Sequence, residues 1–116
     1  MSVNPFGTIP IYGKDQVTKY SKKLLHAPHI YKTTQNMIDA LQTGDQTVVI
    51  SGESGAGKSD CAKFMLGYLT SVVGGDHWIE QRILEASKIL ESFGNAKTVR
   101  NGNSSRLNHI IQYSIN

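Results

Sequence analysis

The chain has 116 residues, 39% of them hydrophobic and 18% charged, with a formal net charge of +3. That is enough for one domain with a small core, and too apolar for a long disordered tract. No apolar run reaches the ~18 residues of a transmembrane helix, and the basic residues form no stripe for nucleic acid.

The opening MSVNPFGTIPIY has neither a basic start nor an unbroken apolar centre, so it does not read as a signal peptide. Residues 4–13 (NPFGTIPIYG) hold two prolines and two glycines and read as an ordered loop. Asp15 caps a short helix to about Leu25, with Val17, Tyr20 and Leu24 on one side, and Ala27-Pro28 breaks it. A second helix spans 30–42, buries Ile30, Met37, Ile38 and Leu41, and ends at Gly44.

Thr47 to Ser51 (TVVIS) is β-branched and apolar, as expected of a buried parallel strand. GESGAGKS follows at once, residues 52–59. Residues 60–73 then place Ala62, Met65, Leu66, Leu69 and Val73 on one helical stripe, closed by Gly74-Gly75. From Trp78 to Phe93, Ile79, Ile83, Ala86, Leu90 and Phe93 recur at helical spacing, with Gly94 as the stop. Residues 95–106 (NAKTVRNGNSSR) are polar and turn-prone, and the alternation from Ile111 to Ile115 reads as a half-buried strand. The expected architecture is α/β: a partial P-loop NTPase core with a central strand, a phosphate loop and flanking helices.

The strand–loop–helix context gives GESGAGKS a mechanical meaning. Glycines at 52, 55 and 57 let successive N–H groups turn into one concavity, and a helix starting near Lys58 adds the positive end of its dipole. Lys58 supplies a mobile charge for phosphate and the Ser59 hydroxyl a ligand for Mg²⁺. Taken alone, the crowd of Asn101, Asn103, Ser104, Ser105 and Arg106 reads most simply as a solvated loop. Beside a phosphate loop the same groups suit a sensor of the terminal phosphate. Cys61 is the only cysteine, which excludes an intramolecular disulfide and fits a reducing compartment. It reads as a small residue packed under the loop.

GESGAGKS, LESFGNAKTVRN and NxNSSR, in that order, resemble the myosin motor domain, as do NPFGTIPIY and Pro28-His29-Ile30-Tyr31. The resemblance covers essentially the whole chain, and the SVNPF and ISGESGAGK wording leans toward myosin-I-like heads. It implies an ATP-binding part of an actin-based motor that couples Mg-ATP hydrolysis to movement, working on actin filaments in the cytoplasm, with light chains on the parent protein. It divides residues 1–116 into a purine loop (4–12), the phosphate loop (52–59) and switch I (101–106), with no complete second domain.

By the same resemblance, Asn4, Pro5 and Tyr12 would hold the adenine edge. Gly52, Glu53, Ser54, Gly55, Ala56, Gly57, Lys58 and Ser59 would cradle the phosphates. Asn101 would meet phosphate, Ser104 would help place the attacking water, and Ser105 would join Ser59 on Mg²⁺. Lys58, Ser104 and Arg106 form the expected catalytic set, Arg106 as the latch to a switch II glutamate. Departures from the family pattern are Ser59 for threonine, Asp60 for glutamate, Gly7-Thr8 for a basic residue, and Leu107-Asn108-His109 for Phe-Gly-Lys. No DxxGxE segment is present, so the chain reads as an N-terminal slice of a head, inactive by itself and of doubtful independent folding. Two other readings stand beside the motor: a truncated head that binds nucleotide without turnover, and a small P-loop kinase.

Overall fold

The computed structural model describes residues 2–74, 77–99, 101–106 and 110–112, with backbone alone for 77, 79, 80, 84 and 105. Four helices carry the fold: α1 (Lys14–Ser21), α2 (Ile30–Ala40), α3 (Lys58–Val73) and α4 (His77–Phe93). A two-residue hairpin ladder follows, β1 (Asn95–Ala96) antiparallel to β2 (Ser104–Ser105), with Asn95 opposite Ser105 and Ala96 opposite Ser104. α3 is the central element, packed against α1, α2 and α4.

The helices begin and end for local reasons. α1 starts two residues earlier than expected: Gly13 is its N-cap, and Asp15 lies inside the first turn, where its charge complements the dipole. It stops at Ser21 rather than Leu25, because Lys23 takes a left-handed φ of 57° and the Leu24 N–H turns back to the Lys19 carbonyl at 2.8 Å. Leu24 is consequently exposed and Leu25 packs instead. α2 is capped by His29, whose Nδ1 accepts from the Tyr31 N–H at 3.1 Å. Gly57 and Gly74, both left-handed, bracket α3.

The core is aromatic. Tyr20, Tyr31 and Tyr68 are its buried centre, with Tyr12, Val17, Ile30, Ile38, Phe64 and Val72 packed around them. Tyr12 stacks on Phe64 with ring centroids 3.6 Å apart, and Tyr31 on Tyr68 at 4.8 Å. Tyr68 is fully buried (0% exposed) and donates to Gln35 Oε1 at 2.7 Å. Gln35 donates in turn to Asp39 at 2.9 Å, and Lys23 closes the chain on Asp39 at 2.9 Å. This polar thread rotates α2 relative to expectation. Its buried stripe is Tyr31, Thr34 and Gln35, while Ile30, Met37, Ile38 and Leu41 are only half-buried.

On α3 the expected Met65, Leu66 and Leu69 are buried, joined by Tyr68 and Thr70 because the helix has neighbours on several sides. α4 forms as expected, yet Ala86, Leu90 and Phe93 face outward, Phe93 at 86% exposure. The Ile79 side chain lies outside the described residues, as do Gly75, residues 107–109 and residues 113–116.

The expected central strand does not form. Residues 47–51 have no ladder partner among the described residues, and Val49 is 83% exposed. A parallel strand draws its stability from hydrogen-bonded neighbours and from helices over both faces. Among the described residues no strand neighbour is supplied to this segment, so TVVIS keeps the composition of a buried strand without the structure. The described residues thus form a helical assembly with one short hairpin, and the expected α/β core with its central strand is not seen among them. Ile110 to Gln112 likewise lie in no strand, with Ile110 exposed.

Candidate nucleotide site

The loop before α3 owes its shape to two left-handed glycines, Gly55 (φ 82°) and Gly57 (φ 85°). A side chain at either would be strained by about 1–2 kcal/mol. Between them the Ala56 N–H donates to the Glu53 carbonyl at 3.2 Å, closing a tight turn. α3 then begins at Lys58, so the first-turn N–H groups that no helix can satisfy internally point along the axis toward the loop. Lys58 folds over this turn: its ammonium donates to the carbonyls of Gly52 at 2.8 Å and Glu53 at 2.7 Å. An ammonium has three protons, so one remains for an acceptor in front of the loop.

Two distant segments close on this loop from opposite sides. Ser54 Oγ donates to Ser104 Oγ at 2.8 Å, and Ser104 is buried at 4% exposure. A Cβ placed on Gly55 would lie 3.6 Å from the Asn101 side chain, so Asn101 stands beside Gly55 with room for no more than a methyl between them. On the other side Asn4 Nδ2 donates to the Gly55 carbonyl at 2.8 Å. The 101–104 segment is held in turn by its own turn chemistry. Thr98 N–H donates to the Asn101 carbonyl at 2.8 Å, the Asn101 N–H to Thr98 Oγ1 at 3.0 Å, and the Asn103 N–H to Asn101 Oδ1 at 3.1 Å. The β1–β2 ladder and an Arg106 N–H bond to the Gly94 carbonyl at 2.8 Å fix where that segment returns.

The result is a hollow of about 410 Å³ whose walls include Asn4, Ser54, Gly55, Gly57, Lys58, Ser59, Asn101 and Ser104. That volume is in the range of small-molecule sites. Lys58 and the α3 N-terminus bring positive charge to it, Asp60 and Glu91 bring carboxylates to its wall, and Ser59 adds a hydroxyl. Hydroxyl, amide and ammonium donors converging on a glycine-shaped turn are the groups that bind an oxyanion such as phosphate. Among the described residues no cluster of three or more His, Cys, Asp or Glu is placed to hold a metal, so a cation here would rest on hydroxyls and on its ligand's own oxygens.

Not every expected residue faces the hollow. Pro5 and Arg106 are exposed and do not line it, and Gly52, Glu53 and Ala56 lie behind the turn. Glu53 and Ala56 line a smaller hollow of about 200 Å³ beside it, together with Phe6. The Tyr12 ring is committed to its stack on Phe64 and lies outside the hollow. The Ser105 side chain lies outside what is described, and only its backbone, in β2, is placed.

Sequence reasoning missed Lys63 and Glu91, which also line the hollow. Lys63 sits one turn beyond Ser59 on α3, so helical spacing was the signal for it, and it pairs with Asp60 at 3.6 Å. Glu91 comes from the last turn of α4 and carried no local signal. Cys61, as expected, is a half-buried helix residue, its Sγ 3.8 Å from Ser2 Oγ.

A family model described as Myosin head (motor domain) matches residues 1–116. The chain is 46% identical over 114 residues to Myosin-2 of Arabidopsis thaliana, covering 97% of this chain and 9% of that protein. It is 47% identical over 115 residues to Myosin-VIIa of Drosophila melanogaster, covering 96% of this chain and 5% of that protein. Unconventional myosin-VIIb of Mus musculus is 43% identical over 120 residues, with all of this chain and 6% of that protein covered. The chain therefore spans less than a tenth of the length of these three relatives.

Proposed function

The chain belongs to the myosin head (motor domain) family, and on that basis we propose that it forms the ATP-binding part of an actin-based motor. Within residues 1–116, segment 4–12 serves as the purine loop, 52–59 as the phosphate loop and 101–106 as switch I. The observation that carries this reading is the Ser54–Ser104 hydrogen bond at 2.8 Å. It joins two segments fifty residues apart over the N-terminus of α3, where a phosphate chain would be gripped from both sides.

Bound here, Mg-ATP supplies the phosphoanhydride whose hydrolysis a motor draws on. The chain's own residues supply position and charge. Lys58 has one ammonium proton left for a phosphate oxygen, and the α3 N-terminus adds N–H groups and dipole. Ser59, which lines the hollow, is the hydroxyl for the metal, with Ser105 as its proposed partner. Ser104, tied to Ser54 through their hydroxyls, is the proposed group that orients water. Asn101, which lines the hollow, is the proposed donor to phosphate, and Arg106 the proposed latch of the 101–106 segment.

Actin filaments are the proposed track of the whole protein, and the actin cytoskeleton of the cytoplasm its proposed location. No helix among the described residues is long and apolar enough to cross a membrane. The kinase reading finds no support beside a family match over every residue.

The test has two parts. Equilibrium dialysis with labelled ATP, with and without Mg²⁺, should show metal-dependent binding that added pyrophosphate displaces. ATP turnover by the full-length protein carrying this chain should rise on adding actin filaments. Absence of ATP binding would refute the site, and turnover indifferent to actin would refute the motor.

A further inference from the structure

Asn4 is the one residue of the N-terminal loop that bonds directly to the phosphate loop among the described residues, and both ends of its amide are used. Its Oδ1 accepts from the Phe6 N–H at 2.9 Å, an Asx-turn that closes the N-terminal loop and holds Phe6 at a left-handed φ of 52°. Its Nδ2 donates to the Gly55 carbonyl at 2.8 Å, 51 residues away. This fixes the amide's orientation, because a flip would set oxygen against the Gly55 carbonyl and N–H against the Phe6 N–H. The side chain also lies over Gly57, where an added Cβ would sit 3.7 Å from Asn4 Cβ, Cγ and Nδ2. Asn4 thus bonds to one of the two left-handed glycines that shape the turn and lies beside the other. The Gly55 carbonyl is held on one flank while the Asn101 side chain backs Gly55 on the other.

We propose that Asn4 is a positioning residue for the phosphate loop, acting on the ligand's phosphates through Gly55 and Gly57 rather than on its base. This rests on the nucleotide reading above and departs from it on one point, the part of the ligand that Asn4 serves. A residue whose acceptor and one of whose two donors are engaged within the protein has little left for a base edge. Its loss should be felt equally by any ligand the loop grips, base or no base.

Pyrophosphate with Mg²⁺ is a ligand without a base and separates the two roles. Affinities for Mg-ATP and Mg-pyrophosphate are to be measured by calorimetry for the wild type, Asn4→Ala and Asn4→Ser. Serine is the variant that can still close the turn on Phe6 but is too short for Gly55. Both variants should weaken both ligands by a common factor, about tenfold for one hydrogen bond lost. Hydrogen exchange of residues 53–57 without ligand should also quicken in both variants, with α1 and α2 unchanged.

A loss for ATP with pyrophosphate unaffected would overturn the proposal in favour of a base contact. Restoration by serine would overturn it in favour of the Phe6 turn. Exchange at 53–57 equal to wild type would also overturn it. Failure of the wild type to bind either ligand would instead refute the nucleotide reading itself, a separate result.

Discussion

Replacing Lys58 by alanine separates the binding of phosphate from the shape of the loop. In the structure the ammonium spends two protons on the carbonyls of Gly52 and Glu53, at 2.8 and 2.7 Å, and keeps the third. A phosphate oxygen in the hollow can take that third proton without breaking either bond. The loss on Lys58→Ala is therefore one charge-assisted hydrogen bond, about 1.5–3 kcal/mol. That corresponds to a roughly 10- to 150-fold weaker Kd for Mg-ATP. Stability should hardly change, because Gly52 and Glu53 are exposed and water replaces the lost donor. The assay is a titration of Mg-ATP at fixed ionic strength, paired with urea unfolding of both proteins. A Kd within threefold of wild type would refute the argument that this ammonium faces the ligand. A loss of binding matched by a loss of stability above about 1 kcal/mol would show that the lysine chiefly builds the loop.

Tyr68→Phe should destabilise the protein by about 2 kcal/mol, since it leaves the buried Gln35 Oε1 without its donor. Urea unfolding reads the loss, and a change under about 0.5 kcal/mol would refute the polar thread. Burial also pushes the Tyr68 hydroxyl up to about 12 from its ordinary 10, with Asp39 and Tyr31 adding to the shift. Its folded value is the higher, so its stabilisation is full below pH 10 and is lost as pH rises toward 12. An unfolding series across that window should lose on the order of 2–3 kcal/mol, less in Tyr68→Phe. Burial lowers His29 below its ordinary 6.5, the nearby Ile11 carbonyl offsetting this only in part. Its folded value is the lower, so stability is full above pH 6.5 and falls as pH drops through the folded value. Acid unfolding followed by circular dichroism should show this, and His29→Ala should blunt it while costing about 1 kcal/mol of helix cap. Ser54→Ala should loosen residues 101–104, read as faster hydrogen exchange there with α1 and α2 unchanged.

What could be read from the sequence divides by range. The phosphate loop and α3 were legible because their signals are local: left-handed glycines, a lysine at the helix start and an apolar stripe. α4 was legible for the same reason, although periodicity cannot say whether a face is covered, and Leu90 and Phe93 prove exposed. The strand expected at 47–51 is not seen because composition records a preference for burial between neighbours, and none is supplied among the described residues. The face of α2 was misjudged because hydropathy ranks Ile30 and Met37 above Gln35, while a single bond from Tyr68 brings Gln35 inside. At the site, Asn101 was expected to meet phosphate and Ser104 to place water; the structure puts Ser104 on Ser54 and Asn101 beside Gly55. Asn4 was expected at a base edge, and its bond to Gly55 had no local signal at all. Lys63 was findable by spacing and Glu91 was not.

The walls of the hollow are drawn from residues near 4, near 55 and near 104, each about fifty positions beyond the one before. Contacts of that span form late, after the helices between them, because each must close a long loop before it gains anything. During synthesis the glycine turn leaves the ribosome with its amino-terminal wall and without its carboxy-terminal one. A nascent chain arrested at residue 95 would carry every motif up to α4 and still grip its ligand from one side only. The proposed nucleotide hollow is therefore complete only once Ser104 has emerged and reached back to Ser54.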